Sequence, residues 1–159
     1  MSQDRKTIIV FSSDLDKAMA AFTIAAGALA MGSEVTMYFT FWGLNILRKS
    51  QKVTVKKDLV ERVFSAVMPR GPERLGISKM NYGGLGARVM RWIMARKNVQ
   101  PLTELMETAQ SLGVQMIACT MSMDIMGITK EELIDGIGYA GVATYLTEAD
   151  KASLNLFIG

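Results

Sequence analysis

The chain has 159 residues, a formal net charge of +3 and a mean hydropathy of +0.21, and half of its residues are apolar. This length predicts a single domain over residues 1–159, and the apolar content excludes a disordered chain. The sequence contains no histidine and one cysteine. It therefore excludes an intrachain disulfide and any site that needs the chain's own histidine, and we predict neither a metal nor a cofactor. The functions that the composition leaves open are thiol chemistry at the one cysteine, carboxylate chemistry, and binding without catalysis.

The charge of the chain is concentrated in its middle. Residues 48–97 carry 13 Lys and Arg against 3 Asp and Glu, whereas residues 98–159 carry 2 against 8. A basic segment of this kind favours an acidic partner, an anionic ligand or a membrane surface. Because no aromatic and glycine pattern interleaves the charges, we expect no nucleic acid. A merely solvated basic face is the alternative.

Two features bear on the location of the protein. The first residues lack the pattern of a secretory signal. The uncharged stretch between Lys17 and Glu34 has 16 residues, which is short for a membrane span. We therefore expect a cytoplasmic protein without an integral membrane segment, and a lone free cysteine suits that reducing compartment.

The first half of the chain begins with a strand and a helix. The β-branched run Thr7–Phe11 predicts a buried strand, and a helix then extends to about Met31. A second strand covers Val35–Phe41, and the periodicity predicts a helix over residues 55–68. A loop through residues 81–84 leads into a basic amphipathic helix over Gly86–Lys97. We expect Arg88 and Arg91, on the polar face of that helix, to dock a partner.

The last third of the chain alternates more regularly. After a helix that starts at Pro101, the pattern predicts in turn a strand over Val114–Cys119, short helices over residues 120–126 and 129–136, a strand over Val142–Leu146, the start of another short helix at Thr147, and a strand over Leu154–Ile158. Apolar strands that alternate with helices predict an α/β fold with a mostly parallel sheet of about five strands, covered on both faces.

Cys119 is the candidate catalytic residue, because open α/β sheets bind their ligands where strands end. A helix that starts at Thr120 would lower the pKa of the thiol. A buried structural cysteine is the alternative. The residues that we expect to line this site are Met121, Ser122, Asn45, Asn81, Tyr82, Gly83 and Gly84.

The string Ile117–Ile128 around the cysteine resembles the DsrE/DsrF-like superfamily, and in particular its DsrE2 branch of sulfurtransferases. The resemblance covers nearly the whole chain. It includes the segments Tyr38–Leu44, Asn98–Val99, Glu131–Ile134 and Gly141–Leu146.

The resemblance implies a three-layer α/β/α sandwich of DsrEFH-like, flavodoxin-like architecture that carries sulfane sulfur as a persulfide on Cys119. It also implies exchange of that sulfur with a TusA-like carrier or a rhodanese, and a homo-oligomer. Some relatives have further cysteines or membrane spans, which this sequence lacks, so we expect a one-cysteine sulfur relay.

Two other functions stay open at this point. The basic helix from Arg88 to Lys97 and the aromatic segment Phe39–Trp42 are compatible with a non-catalytic oligomeric or membrane-surface adaptor. A nucleotide- or flavin-binding enzyme is suggested by the predicted fold alone, which is a weak argument.

Overall fold

The computed structural model describes residues 4–159 and contains one five-stranded sheet. All neighbouring strands are parallel, in the order β4-β3-β2-β1-β5. The strands are β1 (Arg5–Val10), β2 (Glu34–Phe39), β3 (Gln115–Cys119), β4 (Gly138–Ala140) and β5 (Leu154–Ile158). The predicted α/β class, strand number and parallel sheet are confirmed.

Helices cover both faces of the sheet, which gives the three predicted layers. The long helix α1 packs with α4 on one face, and α6 lies on the other face, against β1 and β4. The helices are α1 (Leu15–Ala30), α2 (Leu59–Val67), α3 (Leu85–Arg96), α4 (Leu102–Ser111), α5 (Thr120–Met126) and α6 (Val142–Ala149). Short 3₁₀ helices occupy Phe41–Leu47, Pro72–Arg74, Tyr82–Gly84 and Lys130–Glu132.

The period of two along the strands separates two buried clusters. On β2, Met37 and Phe39 belong to the main core between the sheet and α1 and α4, whereas Tyr38 points to the opposite face. There Tyr38 forms a smaller cluster with Cys119 and with Tyr145 of α6. The single cysteine therefore lies on the face that one short helix covers.

The predicted strand over Val142–Leu146 is wrong. This run forms helix α6, and the fourth strand is the preceding Gly138–Ala140. Val142 and Leu146 are 60% and 52% exposed on the helix, and Tyr145 is the residue that α6 buries. The run is rich in β-formers, but tertiary packing overrides that preference. The predicted helix over residues 129–136 is reduced to one 3₁₀ turn, Lys130–Glu132.

One glycine fixes how the chain leaves β2. The Gly43 N–H donates to the Phe11 carbonyl oxygen at 2.8 Å, which brings the 3₁₀ helix 41–47 directly against the end of β1. A Cβ atom at this position would collide with the Val10 carbonyl oxygen. The close approach therefore requires glycine, and it holds Thr40 at the carboxyl edge of the sheet.

No helix within residues 4–159 combines the length and the apolar character that crossing a membrane would require.

Candidate functional site

Cys119 is the last residue of β3 and directly precedes the first residue of α5. Strand register explains its neighbours, because Tyr38 pairs with Ile117 and Phe39 pairs with Ala118. Tyr38 and Cys119 therefore point to the same face of the sheet from adjacent strands. This places an aromatic hydroxyl and a thiol in one buried cluster.

Three hydroxyl groups surround the thiol. Ser122 is fully buried on the first turn of α5, and its Oγ lies 2.8 Å from Thr40 Oγ1. The Tyr38 hydroxyl is buried and has no hydrogen-bond partner within ordinary limits in the described chain. Burial and the adjacent Cys119 raise the pKa of Tyr38. The thiol is thus surrounded by donors that suit an anion.

The pKa of Cys119 is the balance of two opposing effects. Burial raises the pKa, because it disfavours the thiolate. The hydroxyls of Ser122, Tyr38 and Thr40 and the backbone N–H of Ser122 outweigh burial, so the pKa lies below its usual value. Cys119 makes no capping hydrogen bond of strict geometry to α5.

The thiol is not open to solvent. Cys119 is 2% exposed and shares its cluster with Tyr145, which is 6% exposed. The Tyr145 ring lies 5.1 Å from the Tyr38 ring, and its hydroxyl lies 3.2 Å from Thr7 Oγ1. A reagent that reaches the sulfur must therefore displace a side chain or enter through a local opening.

Ser122 lies at Cys119, and the other predicted lining residues have different surroundings. Met121 is 55% exposed on the outer side of α5. Asn45 is buried, and its Oδ1 accepts a bond of 3.4 Å from Arg48 Nη1 in a different cluster. A direct role of either residue at the thiol stays a prediction.

The loop 81–84 is joined through Asn81 to the segment 76–78, which bonds the start of α1. Asn81 Oδ1 accepts a bond of 3.3 Å from the Ile77 N–H. Tyr82 is 76% exposed, and Gly83 and Gly84 adopt positive φ angles that suit glycine. No hydrogen bond joins this loop to Cys119 within residues 4–159. Its folding over the thiol stays a prediction.

The two arginines proposed for docking differ in their surroundings. Arg88 is exposed on α3. Arg91 is half-buried and donates to the carbonyl oxygens of Leu75 at 2.8 Å and Pro72 at 3.4 Å. Burial lowers the pKa of Arg91. Arg91 thus fastens α3 to the preceding segment, and Arg88 is the better candidate for a partner contact.

Sequence reasoning did not single out Tyr38 and Thr40 as site residues. Alternation along β2 puts Tyr38 on the face opposite to Met37, and Thr40 is the first residue after the strand. If β2 and β3 are taken as neighbours, these two positions fall beside Cys119. The sequence alone does not show that β2 pairs with β3, and these two residues could not be assigned to the site without that pairing.

The fold and the site together define a class: a parallel α/β/α sandwich with one thiol at the carboxyl end of a strand, among hydroxyl donors. The chain belongs to the DsrE/DsrF/DrsH-like family, whose model matches residues 2–157. The resemblance drawn from the sequence is thereby confirmed.

Two curated proteins are similar to the chain over nearly its full length. The uncharacterized protein YrkE of Bacillus subtilis is 51% identical over 154 residues, which cover 97% of this chain and 96% of YrkE. The sulfur carrier protein DsrE2 of Allochromatium vinosum is 35% identical over 162 residues, which cover 99% of this chain and all of that protein.

Solved structures share the fold at low sequence identity. The YchN protein of E. coli has a TM-score of 0.61 at 10% identity, with 98% of this chain and 99% of YchN covered. The protein of unknown function MTH1491 from Methanobacterium thermoautotrophicum has a TM-score of 0.53 at 11% identity, with 97% and 99% covered. At these identities the likeness supports the fold alone.

Proposed function

We propose that the protein is a sulfur relay that accepts and donates sulfane sulfur as a persulfide on Cys119. The observation that carries this proposal is the setting of the thiol: Cys119 ends β3, is 2% exposed and lies beside the hydroxyl groups of Tyr38 and Ser122, which favour its thiolate. Membership of the family and the similarity to a protein named as a sulfur carrier support it. Cys119 is the chain's one cysteine, so the donor and acceptor thiols of the relay belong to other molecules.

The unpaired hydroxyl of Tyr38 has a role in this mechanism. A buried donor without an acceptor costs roughly 1–3 kcal/mol. A thiolate, or the terminal sulfur of a persulfide, is a stronger acceptor than a neutral thiol. The Tyr38 hydroxyl, buried beside Cys119, therefore favours the two anionic states through which the relay passes.

The proposed transfer exchanges one S–S bond for another. The Cys119 thiolate attacks the outer sulfur of a donor persulfide, the donor's S–S bond breaks, and the donor leaves as a thiolate. The proton of the transferred sulfur is then released to water, which leaves the Cys119 persulfide as an anion, and it is taken up again from water before the sulfur is passed on. An acceptor thiolate then attacks that outer sulfur, and Cys119 leaves as a thiolate. Sulfur moves between thiols, so no oxidant or reductant is consumed. A TusA-like carrier or a rhodanese is the proposed class of partner.

Loading of the native protein with sulfur tests the proposal. Incubation with a polysulfide should add about 32 Da per retained sulfur atom, from the mass of sulfur in a persulfide. Dithiothreitol should remove the added mass. If the native protein gains nothing while the urea-unfolded protein gains sulfur, then Cys119 is a buried structural thiol and the proposal fails.

Tyr38→Phe should raise the pKa of Cys119, because it removes one of the donors that favour the thiolate. The pH midpoint of iodoacetamide modification, followed by mass spectrometry, should move upward. Tyr145→Phe is the matched control. It also removes a tyrosine hydroxyl from the cluster, but that hydroxyl is bonded to Thr7 Oγ1. Equal midpoints in the two variants would contradict the role given to Tyr38.

Arg88→Glu should slow sulfur transfer from an acidic carrier protein by roughly an order of magnitude at low salt, because charge complementarity speeds encounter. Loading by inorganic polysulfide should not change. Lys151→Glu makes the same change of charge outside the basic segment and should have no effect on either rate. Rising salt should remove the difference between Arg88→Glu and the native protein. A loss with both sulfur sources would instead indicate a folding defect.

We also propose that the protein forms a homo-oligomer through the face that carries α6. Val142 and Leu146 on α6 and Phe157 on β5 are 60%, 52% and 63% exposed. Apolar surface of this kind usually marks an interface. The particle mass from light scattering should be a multiple of the 17.4 kDa mass of one chain. Phe157→Lys should lower this particle mass. Met31→Lys, at an 85% exposed position after α1, should not. A native mass of one chain would contradict the proposal.

A further inference from the structure

A buried charge cluster away from Cys119 contains more cations than acids. The Glu132 carboxylate is contacted by Arg48 Nη2 at 3.1 Å, Lys57 Nζ at 2.5 Å and Arg70 Nη1 at 3.5 Å. The side chains of these cations are 0%, 7% and 13% exposed. Among residues 4–159, one carboxylate for three cations leaves two positive charges without a counter-charge, and burying such charges is costly.

The same cluster has more hydrogen-bond donors than acceptors. Ser65 Oγ is approached by Arg48 Nη2 at 2.8 Å, Lys57 Nζ at 3.1 Å and Arg70 Nη2 at 3.4 Å. A hydroxyl oxygen offers two acceptor sites, so it cannot satisfy three cationic donors. Arg48 Nε is also buried and has no partner in the described chain. Burial and the positive charge of Arg70 lower the pKa of Arg48.

Most of this cluster lines a cavity that further cations border: Lys57, Ser65, Arg70 and Glu132 belong to its wall, and Arg48 does not. The cavity has a volume of about 450 Å³, and Lys52, Arg62 and Arg74 contribute to its wall together with Lys57 and Arg70. Ser50, Thr54 and Ser65 add hydroxyl groups. Glu132 is the one acid among the described residues that line it. We call this cavity the cationic pocket.

We propose that the cationic pocket binds a tetrahedral oxyanion with two or more negative charges, of the phosphate, sulfate or thiosulfate class. Such an anion would supply the missing negative charge, and it would supply acceptors for Lys57 and Arg70, which line the cavity. Planar guanidinium groups match tetrahedral oxyanions with paired hydrogen bonds, and three arginines beside two lysines favour that geometry. The pocket is a recess formed by several chain segments, which suits a small ligand rather than the flat surface of a protein. The proposal is independent of the sulfur relay.

Titration calorimetry of the full chain tests this proposal. Sodium phosphate, pyrophosphate, sulfate and thiosulfate are titrated at constant ionic strength, with sodium chloride as the reference. At least one of the four should bind saturably with a one-to-one stoichiometry per chain, and the tightest of them identifies the ligand class. Absence of saturable binding by all four, relative to chloride, would overturn the proposal.

Variants at the rim locate the binding. Arg62→Gln combined with Arg74→Gln removes two exposed cations and leaves the buried cluster intact, so the variant should fold and bind at least tenfold more weakly. Arg88→Gln removes the same group outside the pocket and should bind as the native protein does. Cys119→Ser should also bind normally, which separates this proposal from the sulfur relay. Unchanged affinity in the double variant would overturn the proposal.

Discussion

Replacing Cys119 with serine is expected to abolish sulfur uptake completely while the protein keeps its fold. Cys119 is the chain's only thiol, so every covalent sulfur adduct must form there. The substitution changes little volume, and the donors around the position can bond a hydroxyl as well as a thiol. The intact mass after incubation with polysulfide should stay that of the unmodified chain. Circular dichroism and the thermal midpoint should match the native protein.

Cys119→Ala is the companion variant for this prediction. It also removes the thiol but leaves the hydroxyls of Ser122 and Thr40 without the group they surround. Both variants should take up no sulfur, and the serine variant should be the more stable of the two. Retention of added sulfur by either variant would contradict the relay on Cys119.

Glu132→Ala is expected to lower the free energy of unfolding by about 3–5 kcal/mol, the usual cost of breaking a buried ion pair from one side. The carboxylate is the counter-charge of Arg48, Lys57 and Arg70, and the substitution would leave three buried or half-buried cations together. Urea denaturation at pH 7 measures the change.

Asp135→Ala is the matched control for this variant. The Asp135 carboxylate is fully exposed and lies 3.9 Å from Lys49 Nζ. Exposed pairs at such distances contribute about 0–1 kcal/mol. If Glu132→Ala costs no more than this control, the buried cluster does not depend on its carboxylate as the contacts imply.

The same carboxylate predicts a pH dependence of stability. Burial raises the pKa of Glu132, but Lys57, the Thr129 N–H and Arg48 outweigh it, and the pKa lies below the usual 4.5. A lowered pKa means that the native state binds the proton less readily than the unfolded state does. The stability that the ionised Glu132 carboxylate contributes is therefore fully present above about pH 4.5. It is lost as the pH falls through the lower pKa that Glu132 has in the folded state. Glu132→Ala should lack this component of the stability curve.

The strands were predictable where apolar runs are long and flanked by turns. The runs that became β1, β2, β3 and β5 were recognised, because a buried parallel strand reads as a continuous apolar segment. The strand β4 has three residues, including Gly138, and carries too little pattern to be seen. The following run, Val142–Leu146, has a stronger β preference, and it was therefore predicted as the strand in place of β4.

The candidate site was predictable in part. Cys119 and Ser122 are three residues apart on a recognisable strand end and helix start, so sequence alone could associate them. Tyr38 and Thr40 reach the thiol through the pairing of β2 with β3, which a single sequence does not reveal. Arg48 and Glu132 are 84 residues apart in the sequence and lie outside the long helices and strands, so no local sequence pattern predicts their contact.

The central claim is that sulfur both enters and leaves at Cys119, and a transfer of isotopically labelled sulfur tests it most directly. The protein is loaded with ³⁴S-labelled polysulfide, freed of excess reagent, and mixed with a TusA-like carrier or with a small thiol. We expect the label to leave Cys119 and appear on the acceptor thiol in equal amount, with the native thiol restored. Label that stays on Cys119 with both acceptors, or that is released only when the protein unfolds, would contradict the account.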